Sequence, residues 1–133
     1  NIDMDKVGAI VTFNGIVRRI DIKKKEPIKI KKLKIDSYKE MAEKALKKIE
    51  NEEKKQGIIN IRIVHFIGDF LPHEDLVYVV VMGSHRQECF KTLEKVINRY
   101  KKEAPIWKKE ILENGEEYWI GNNKIDKQEK MGN

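Results

Sequence analysis

The sequence predicts an α+β protein with a largely antiparallel sheet and two main helices. Three observations support this class: several short segments are rich in β-branched residues, two longer segments carry apolar stripes with helical spacing, and the two kinds of segment follow one another irregularly. The chain has 133 residues without an internal repeat or a low-complexity linker. We therefore expect a single domain over 1–133, in which 121–133 form a polar C-terminal tail.

The first predicted strands occupy 7–20, where Gly8 and Gly15 punctuate a β-branched run. A charged turn is expected at 23–27. Apolar residues then alternate with lysines over 28–35, with one slip in phase between Ile30 and Leu33, which predicts a half-exposed strand with a β-bulge.

The second half of the chain predicts further strands. Residues 58–66 and 76–82 read as strands joined by a loop, and 110–120 read as a hairpin about Asn114-Gly115, the dipeptide that best suits a type I′ turn.

Two capping boxes, Ser37 with Glu40 and Ser84 with Gln87, predict the starts of the two helices. Gly57 is expected to stop the first helix and Pro105 the second. The predicted buried stripes are Met41, Ala42, Ala45, Leu46 and Ile49 in the first helix, and Phe90, Leu93, Val96, Ile97 and Tyr100 in the second.

Composition limits the function classes. The net charge of +6 suggests an anionic partner, which could be nucleic acid, a phosphorylated metabolite or an acidic protein. A single cysteine excludes an internal disulfide and favours a reducing, cytoplasmic compartment. No apolar run approaches the ~20 residues that a membrane span needs. The spacing of His65, His73 and His85 does not suit a metal site, so we expect no metal.

Several cations are candidates for a binding site. His85 and Arg86 stand at a helix N-terminus, where free N–H groups bind anions, although they could equally be surface side chains of a solvated first turn. Lys101 ends the same helix, where a cation also simply suits the helix dipole. Lys108 follows Trp107, a bulky side chain expected to anchor it, and a partly desolvated lysine can act as a base or nucleophile.

Other candidates admit two interpretations each. Arg18 and Arg19 lie on opposite faces of a strand, so one could face a pocket while the other is solvated. Cys89 lies four residues after His85 and could form a Cys/His dyad, but a buried inert thiol is favoured. The lysine-rich stripe between 23 and 34 could bind nucleic acid, but its interleaved residues are Ile and Leu and indicate a solvated strand face.

Taken together, the motifs resemble the large, catalytic subunit of molybdopterin synthase. The resemblance runs from about Val7 to Ile120. It rests on Phe13-Asn14-Gly15-Ile16-Val17-Arg18, on His65 with Gly68, on Ser84-His85-Arg86 with Phe90, and on Lys101 with Ala104-Pro105-Ile106-Trp107-Lys108-Lys109-Glu110. Three positions depart from the family pattern: Phe66 where an arginine is common, Asp36, and the approach Leu71-Pro72-His73.

The resemblance implies an α/β-hammerhead portion and a cytoplasmic sulfurtransferase of molybdenum cofactor biosynthesis, with no cofactor of its own. It implies a homodimer within a heterotetramer. A small ubiquitin-like sulfur-carrier subunit would insert its C-terminal Gly-Gly thiocarboxylate and donate sulfur to cyclic pyranopterin monophosphate. Lys101 and Lys108 would be catalytic, and Arg18, His85 and Arg86 would bind the pterin phosphate, with part of each pocket supplied by the other protomer.

Two alternatives from other classes remain at this point. A basic nucleic-acid-binding module would use the same positive charge, and a non-catalytic scaffold would bind the ubiquitin-like protein without transferring sulfur. The sulfurtransferase interpretation itself expects neither nucleic acid nor a membrane as partner.

Overall fold

The fold is known from a computed structural model that describes residues 1–21 and 28–120. The predicted turn at 23–27 and the predicted tail at 121–133 lie outside these residues. A short 3₁₀-helix, Met4–Lys6, precedes the regular elements. These are β1 (Ala9–Ile16), β2 (Ile30–Ser37), α1 (Lys39–Glu53), β3 (Ile58–His65), β4 (Gly68–Phe70), β5 (Asp75–Gly83), α2 (Arg86–Glu103), β6 (Ile106–Leu112) and β7 (Glu117–Ile120).

The first sheet has the strand order β1-β5-β3, and both pairings are antiparallel. Its central strand β5 is the most apolar segment of the chain, and Val79 and Val81 within it are fully buried. A central strand has neighbours on both edges, which is why a valine-rich run suits this position.

The second sheet has the order β4-β2-β6-β7 and is also antiparallel throughout. The register of β2 against β6 shifts between Ile30 and Lys32, so the predicted bulge is confirmed. The short strand β4 was not predicted, since its three residues carry too little pattern to be recognised in sequence. The predicted α+β class with two main helices is confirmed.

One core joins the two sheets and the helices. Helix α2 packs against β1 and β5, and α1 packs against α2 and β3. The core contains Ile61 of the first sheet, Ile35 of the second, and Ile49 and Val96 of the two helices. This shared core holds the end of α2 and the start of β6 in fixed relation to both sheets.

Both capping boxes were predicted one residue too early. Ser37 is the last residue of β2 and is paired with Ile106, so Tyr38 is the N-cap of α1 and forms no side-chain cap. The hydroxyl of Ser84 donates to the carbonyl oxygen of Lys6 at 3.0 Å, and His85 is the N-cap of α2. In each case the serine is occupied elsewhere.

Other details of the helices also differ. Helix α1 ends at Glu53 with Lys54 as C-cap, so Gly57, although its φ is +84°, is not the C′ residue. Each predicted buried stripe included one residue that is exposed in the structure. These residues are Met41, at 62% exposure, and Phe90, at 57%. Pro105 does follow the end of α2 as predicted.

The hairpin forms, but its strands and its turn differ from the prediction. Strand β6 begins at Ile106, and the connection runs through Gly115, whose φ is +89° and whose N–H donates to the carbonyl oxygen of Leu112 at 3.0 Å. Asn114 is not left-handed, whereas a type I′ turn needs positive φ at both central residues. A three-residue connection with glycine in the left-handed position is therefore used.

Candidate active site

The junction between α2 and β6 places two lysines side by side. Helix α2 ends with the N–H of Ala104 bonded to the carbonyl oxygen of Tyr100 at 3.1 Å, and Pro105 then turns the chain into β6. In β6, Lys108 stands between Ile35 of β2 and Ile120 of β7. A strand with neighbours on both edges fixes the backbone of Lys108 more firmly than a loop would.

Strand alternation separates Lys108 from its neighbour Lys109. Lys109 points to the other face of the sheet, where its Nζ lies 2.6 Å from a carboxylate oxygen of Glu117 and 5.3 Å from the ring centroid of Trp119. Trp107 shares that outer face and packs edge-on against Tyr38 with centroids 5.0 Å apart. Trp107 is thus half-buried against an exposed tyrosine, and sheet pairing, more than a core anchor, holds Lys108 in place.

Two cavities meet at these lysines. The smaller has a volume of about 180 Å³ and is lined by His65, Tyr100, Lys101, Ile106, Lys108 and Ile120. The larger, of about 340 Å³, shares Tyr100, Lys101, Lys108 and Ile120 with it and extends to Arg18 and Glu110. Lys101 and Lys108 therefore line both cavities.

The environment lowers the pKa of Lys108. Burial is the largest cause, because removing water disfavours the ammonium form, and the positive charges of Lys101 and Arg18 add to the effect. Lys108 therefore loses its proton to form the neutral amine at a lower pH than a surface lysine does. A neutral amine can accept a proton, and its ammonium form can stabilise negative charge.

Arg18 is the arginine that faces the site. It lines the larger cavity and makes a long ion pair, 3.8 Å, with Asp21. Arg19 turns away and donates to Glu113 at 3.2 Å. The sequence did not show which of the two arginines faces a pocket. In the structure it is Arg18.

His65 belongs to the site and was not predicted as a site residue. It ends β3, lines the smaller cavity, and packs edge-on against Tyr100 with ring centroids 5.8 Å apart. Burial, and secondarily the charge of Lys108, lowers its pKa to about 4. The available signal was a histidine at the end of an apolar strand, which by itself is more often a packing residue than a functional one.

His85 and Arg86 are not part of this site within one chain. They are exposed at the start of α2, while Lys101 lies near its end, about 22 Å away at 1.5 Å per residue. A single protomer therefore does not bring His85 and Arg86 to Lys101 and Lys108. The expectation that another protomer supplies part of the pocket stays a prediction.

Cys89 is fully buried in the core, and its thiol lies 3.8 Å from the carbonyl oxygen of Ala9. Burial raises the pKa of this thiol, which keeps it protonated and unreactive. It lines neither cavity, so the structure agrees with the packing interpretation.

Within residues 1–21 and 28–120, no cluster of three or more His, Cys, Asp or Glu side chains is arranged to hold a metal ion. Over the same residues, neither helix has the length and apolar character needed to cross a bilayer.

The fold and the site define an α+β protein with a cationic cavity built around two lysines. The family model described as MoaE protein matches residues 1–103, and the chain belongs to that family. It is 37% identical over 113 residues to the molybdopterin synthase catalytic subunit of Thermoplasma volcanium, covering 84% of this chain and 80% of that protein. It is 30% identical over 127 residues to the Escherichia coli protein of the same name, covering 95% and 81%.

Solved structures agree. The X-ray structure of molybdopterin synthase from Staphylococcus aureus superposes with a TM-score of 0.79 at 35% identity, covering 91% of this chain and 85% of that one. A protein–protein complex of subunits 1 and 2 of molybdopterin-converting factor from Helicobacter pylori gives 0.68 at 28% identity, covering 90% and 74%. The family resemblance seen in the sequence is confirmed.

Proposed function

We propose that this chain is the catalytic subunit of a molybdopterin synthase. It transfers sulfur from the C-terminal thiocarboxylate of a small ubiquitin-like subunit to cyclic pyranopterin monophosphate, and two transfers form the dithiolene of molybdopterin. Membership of the MoaE family supports this activity, as do the names of the relatives.

The observation that carries the proposal is the shared position of Lys101 and Lys108, which line both cavities beside Arg18. Both reactants are anions: the partner's tail is a thiocarboxylate, and the pterin carries a phosphate. A partly desolvated cationic pocket attracts both and strengthens each interaction relative to water.

The roles follow from position and charge. Lys101, at the exposed end of α2, meets the incoming thiocarboxylate. Lys108, which is more buried and has a lowered pKa, accepts or returns a proton and stabilises negative charge that develops during transfer. Arg18 holds the phosphate end of the pterin from the larger cavity. In each transfer the pterin exchanges a carbon–oxygen bond for a carbon–sulfur bond, and water hydrolyses the acyl–sulfur bond, so the partner's tail is left as a carboxylate.

His85 and Arg86 complete a phosphate site in an assembly. Because they lie about 22 Å from Lys101 in the same chain, they reach a pocket only across a homodimer, at the cavity of the other protomer. The small subunit would then bind at each end, giving a heterotetramer. The complex of two subunits from Helicobacter pylori is consistent with such a pairing. The reaction is placed in the cytoplasm, where a reducing environment suits a thiocarboxylate donor and a free thiol such as Cys89.

The test is reconstitution with a thiocarboxylated ubiquitin-like partner and the pterin precursor, comparing Lys101→Ala with Lys102→Ala. Lys102 is the adjacent lysine of α2 and lines neither cavity. We expect Lys101→Ala to abolish most molybdopterin formation, while Lys102→Ala remains near the native rate. Equal rates for native protein and Lys101→Ala would instead indicate a scaffold. Salt-sensitive binding of arbitrary nucleic acid, without affinity for the ubiquitin-like partner, would indicate a nucleic-acid module.

A further inference from the structure

Tyr100 carries a buried hydroxyl that lacks a hydrogen-bond partner within the chain. The residue is only 3% exposed, and its contact with His65 is an edge-on ring contact. Within residues 1–21 and 28–120, no group forms a hydrogen bond with this hydroxyl, whereas the hydroxyls of Tyr78 and Tyr118 each donate to a carboxylate. Buried polar groups in folded proteins are nearly always bonded, so the hydroxyl of Tyr100 requires an explanation.

An acceptor for this hydroxyl has to come from what fills the two cavities. Tyr100 borders both of them, together with Lys101 and Lys108. The two ammonium groups donate hydrogen bonds and accept none, and Ile106 and Ile120 have no polar side-chain atoms. Water entering the cavities satisfies the hydroxyl in the free chain, and an anion bound by the lysines replaces that water with acceptor oxygens.

The hydroxyl is a donor that carries no charge. Burial raises the pKa of Tyr100 to about 12, so the group keeps its proton at neutral pH. A third cation at this place would add to the repulsion between Lys101 and Lys108 whenever the cavities hold no anion. A neutral hydroxyl strengthens the binding of an anion without that repulsion.

The two cavities differ in ways that assign Tyr100 to the partner's tail. The larger, of about 340 Å³, reaches Arg18 and takes the pterin with its phosphate in the proposed function. The smaller, of about 180 Å³, is lined by Ile106 and Ile120 and, among the described residues, by no arginine. A Gly-Gly end has no side chains and therefore suits the smaller space, with its terminal anionic group beside the two lysines.

We propose that the hydroxyl of Tyr100 donates a hydrogen bond to the oxygen of the partner's C-terminal thiocarboxylate, while Lys101 and Lys108 balance its charge. The contact rests on the proposed function, in which this tail enters the pocket. Oxygen accepts hydrogen bonds more strongly than sulfur, so the bond turns the oxygen toward Tyr100 and leaves the sulfur free to face the pterin.

The same hydroxyl stabilises the hydrolysis of the acyl–sulfur bond. Water adds its oxygen to the acyl carbon and gives a proton to Lys108, and negative charge develops on the acyl oxygen that Tyr100 contacts. The carbon–sulfur bond then breaks with its electron pair left on the sulfur, which stays on the pterin, and the tail ends as a carboxylate.

Calorimetric titration with a small ubiquitin-like subunit that ends in a Gly-Gly carboxylate tests the contact, because this product tail keeps the acyl oxygen. Tyr100→Phe removes the hydroxyl and keeps the ring contact with His65. We expect Tyr100→Phe to bind this subunit about 10-fold more weakly than the native chain does. A subunit without the two glycines should bind both proteins with equal affinity.

Tyr78→Phe is the matched control, because it also loses one hydroxyl at a residue that lines neither cavity. It should bind both forms of the subunit as the native chain does. Urea unfolding gives a second readout. Tyr100→Phe should be at least as stable as the native chain, since the missing hydroxyl had no partner within the protein, and a lower urea midpoint would reveal a structural role and overturn the proposal.

The titrations separate the remaining outcomes. Unchanged affinity of Tyr100→Phe for the Gly-Gly subunit overturns the proposal, as does equal weakening with the subunit that lacks the glycines. Weaker binding of the pterin precursor alone would assign the hydroxyl to the other reactant and also overturns it. A native chain that binds neither form of the subunit counts against the proposed function, whereas equal binding by the native chain and Tyr100→Phe counts against Tyr100 alone.

Discussion

Lys101 and Lys108 line the same two cavities, although one belongs to a helix and the other to a strand. The turn at Pro105 brings them together, and the charge of Lys101 contributes to the lowered pKa of Lys108. Two cations near each other in a partly desolvated site repel one another, so this arrangement costs stability unless anions occupy it.

Replacing Lys108 with methionine should abolish most catalysis with little loss of fold. Methionine keeps much of the apolar stem but removes the amine, and loss of a general acid or base typically lowers a rate by about 10²–10⁴-fold. Single-turnover molybdopterin formation with saturating partner is the measurement. The matched control is Lys109→Met, one residue along but on the opposite sheet face beside Glu117, which should stay within a few-fold of native. Similar losses in both variants would contradict the assignment.

The stability of the protein should fall as the pH is lowered from about 6.5 to about 4 because of His65. The pKa of this ring is near 6.5 when unfolded and about 4 when folded, so in that window the unfolded chain binds more protons. The full penalty, present below pH 4, is on the order of 3 kcal/mol.

Urea unfolding at pH 7.5 and pH 4.5 measures this effect. The comparison is His65→Gln, which has no titratable group at this position and should lose less stability between the two pH values than the native chain. Equal losses in the two proteins would show that other groups dominate the acid sensitivity.

The proposed contribution of Arg86 across a dimer predicts complementation. Arg86→Ala and Lys101→Ala should each be nearly inactive alone. If a pocket takes Lys101 from one protomer and Arg86 from the other, a mixed dimer contains one pocket with both defects and one intact pocket. Random mixing of the two variants should then restore about a quarter of native activity. The control mixes Lys108→Met with Lys101→Ala, whose two positions line the same cavity within one chain.

In that control each protomer carries one defect in its own cavity, so a mixed dimer holds no intact cavity and activity should not recover. Recovery in the control would mean that a pocket takes Lys101 and Lys108 from different protomers, or that the variants keep residual activity. If the Arg86 mixture does not recover activity, then Arg86 and Lys101 act in a pocket of the same protomer, or Arg86 is not part of the site.

The sequence was sufficient to predict Lys101 and Lys108 as site candidates, because their spacing about Pro105 is a local pattern and local patterns are visible in sequence. It was insufficient for His65, whose importance depends on a contact with Tyr100 and on a cavity shared with Lys108, all distant in the chain. It also grouped Arg86 at the start of α2 with Lys101 at its end, because both belong to one family pattern, although about 22 Å of helix separates them.

The wrong predictions for the start of the first helix and for the hairpin turn also come from contacts between residues that are distant in the chain. Ser37 has the sequence of an N-cap, but pairing with Ile106 extends β2 through it and transfers the cap to Tyr38. Asn114-Gly115 favours a type I′ turn, but the register between Ile111 and Glu117 leaves a three-residue connection. In both cases strand pairing, which is a tertiary interaction, outweighs the local preference.

The two helices are joined by an ion-pair network centred on Arg99, and we expect Arg99→Met to be strongly destabilising. The guanidinium donates to Glu103 at 2.6 Å within α2, and to Glu53 at 2.9 Å and Glu52 at 2.8 Å in α1. Glu53 is only 5% exposed, so removing Arg99 leaves a buried carboxylate with less compensation. Loss of one partner of a buried pair costs about 3–5 kcal/mol, and the exposure of the other two carboxylates reduces the expected loss to about 2–3 kcal/mol.

The control for this prediction is Arg19→Met, the same substitution at an arginine whose partner among the described residues, Glu113, is exposed. Exposed pairs contribute about 0–1 kcal/mol, so this variant should unfold near the native urea midpoint. Adding Glu53→Gln to Arg99→Met should recover part of the lost stability, because it removes the buried charge that Arg99 neutralised. If the double variant is no more stable than Arg99→Met, the loss comes from packing of the arginine stem between the helices and not from the uncompensated buried charge of Glu53.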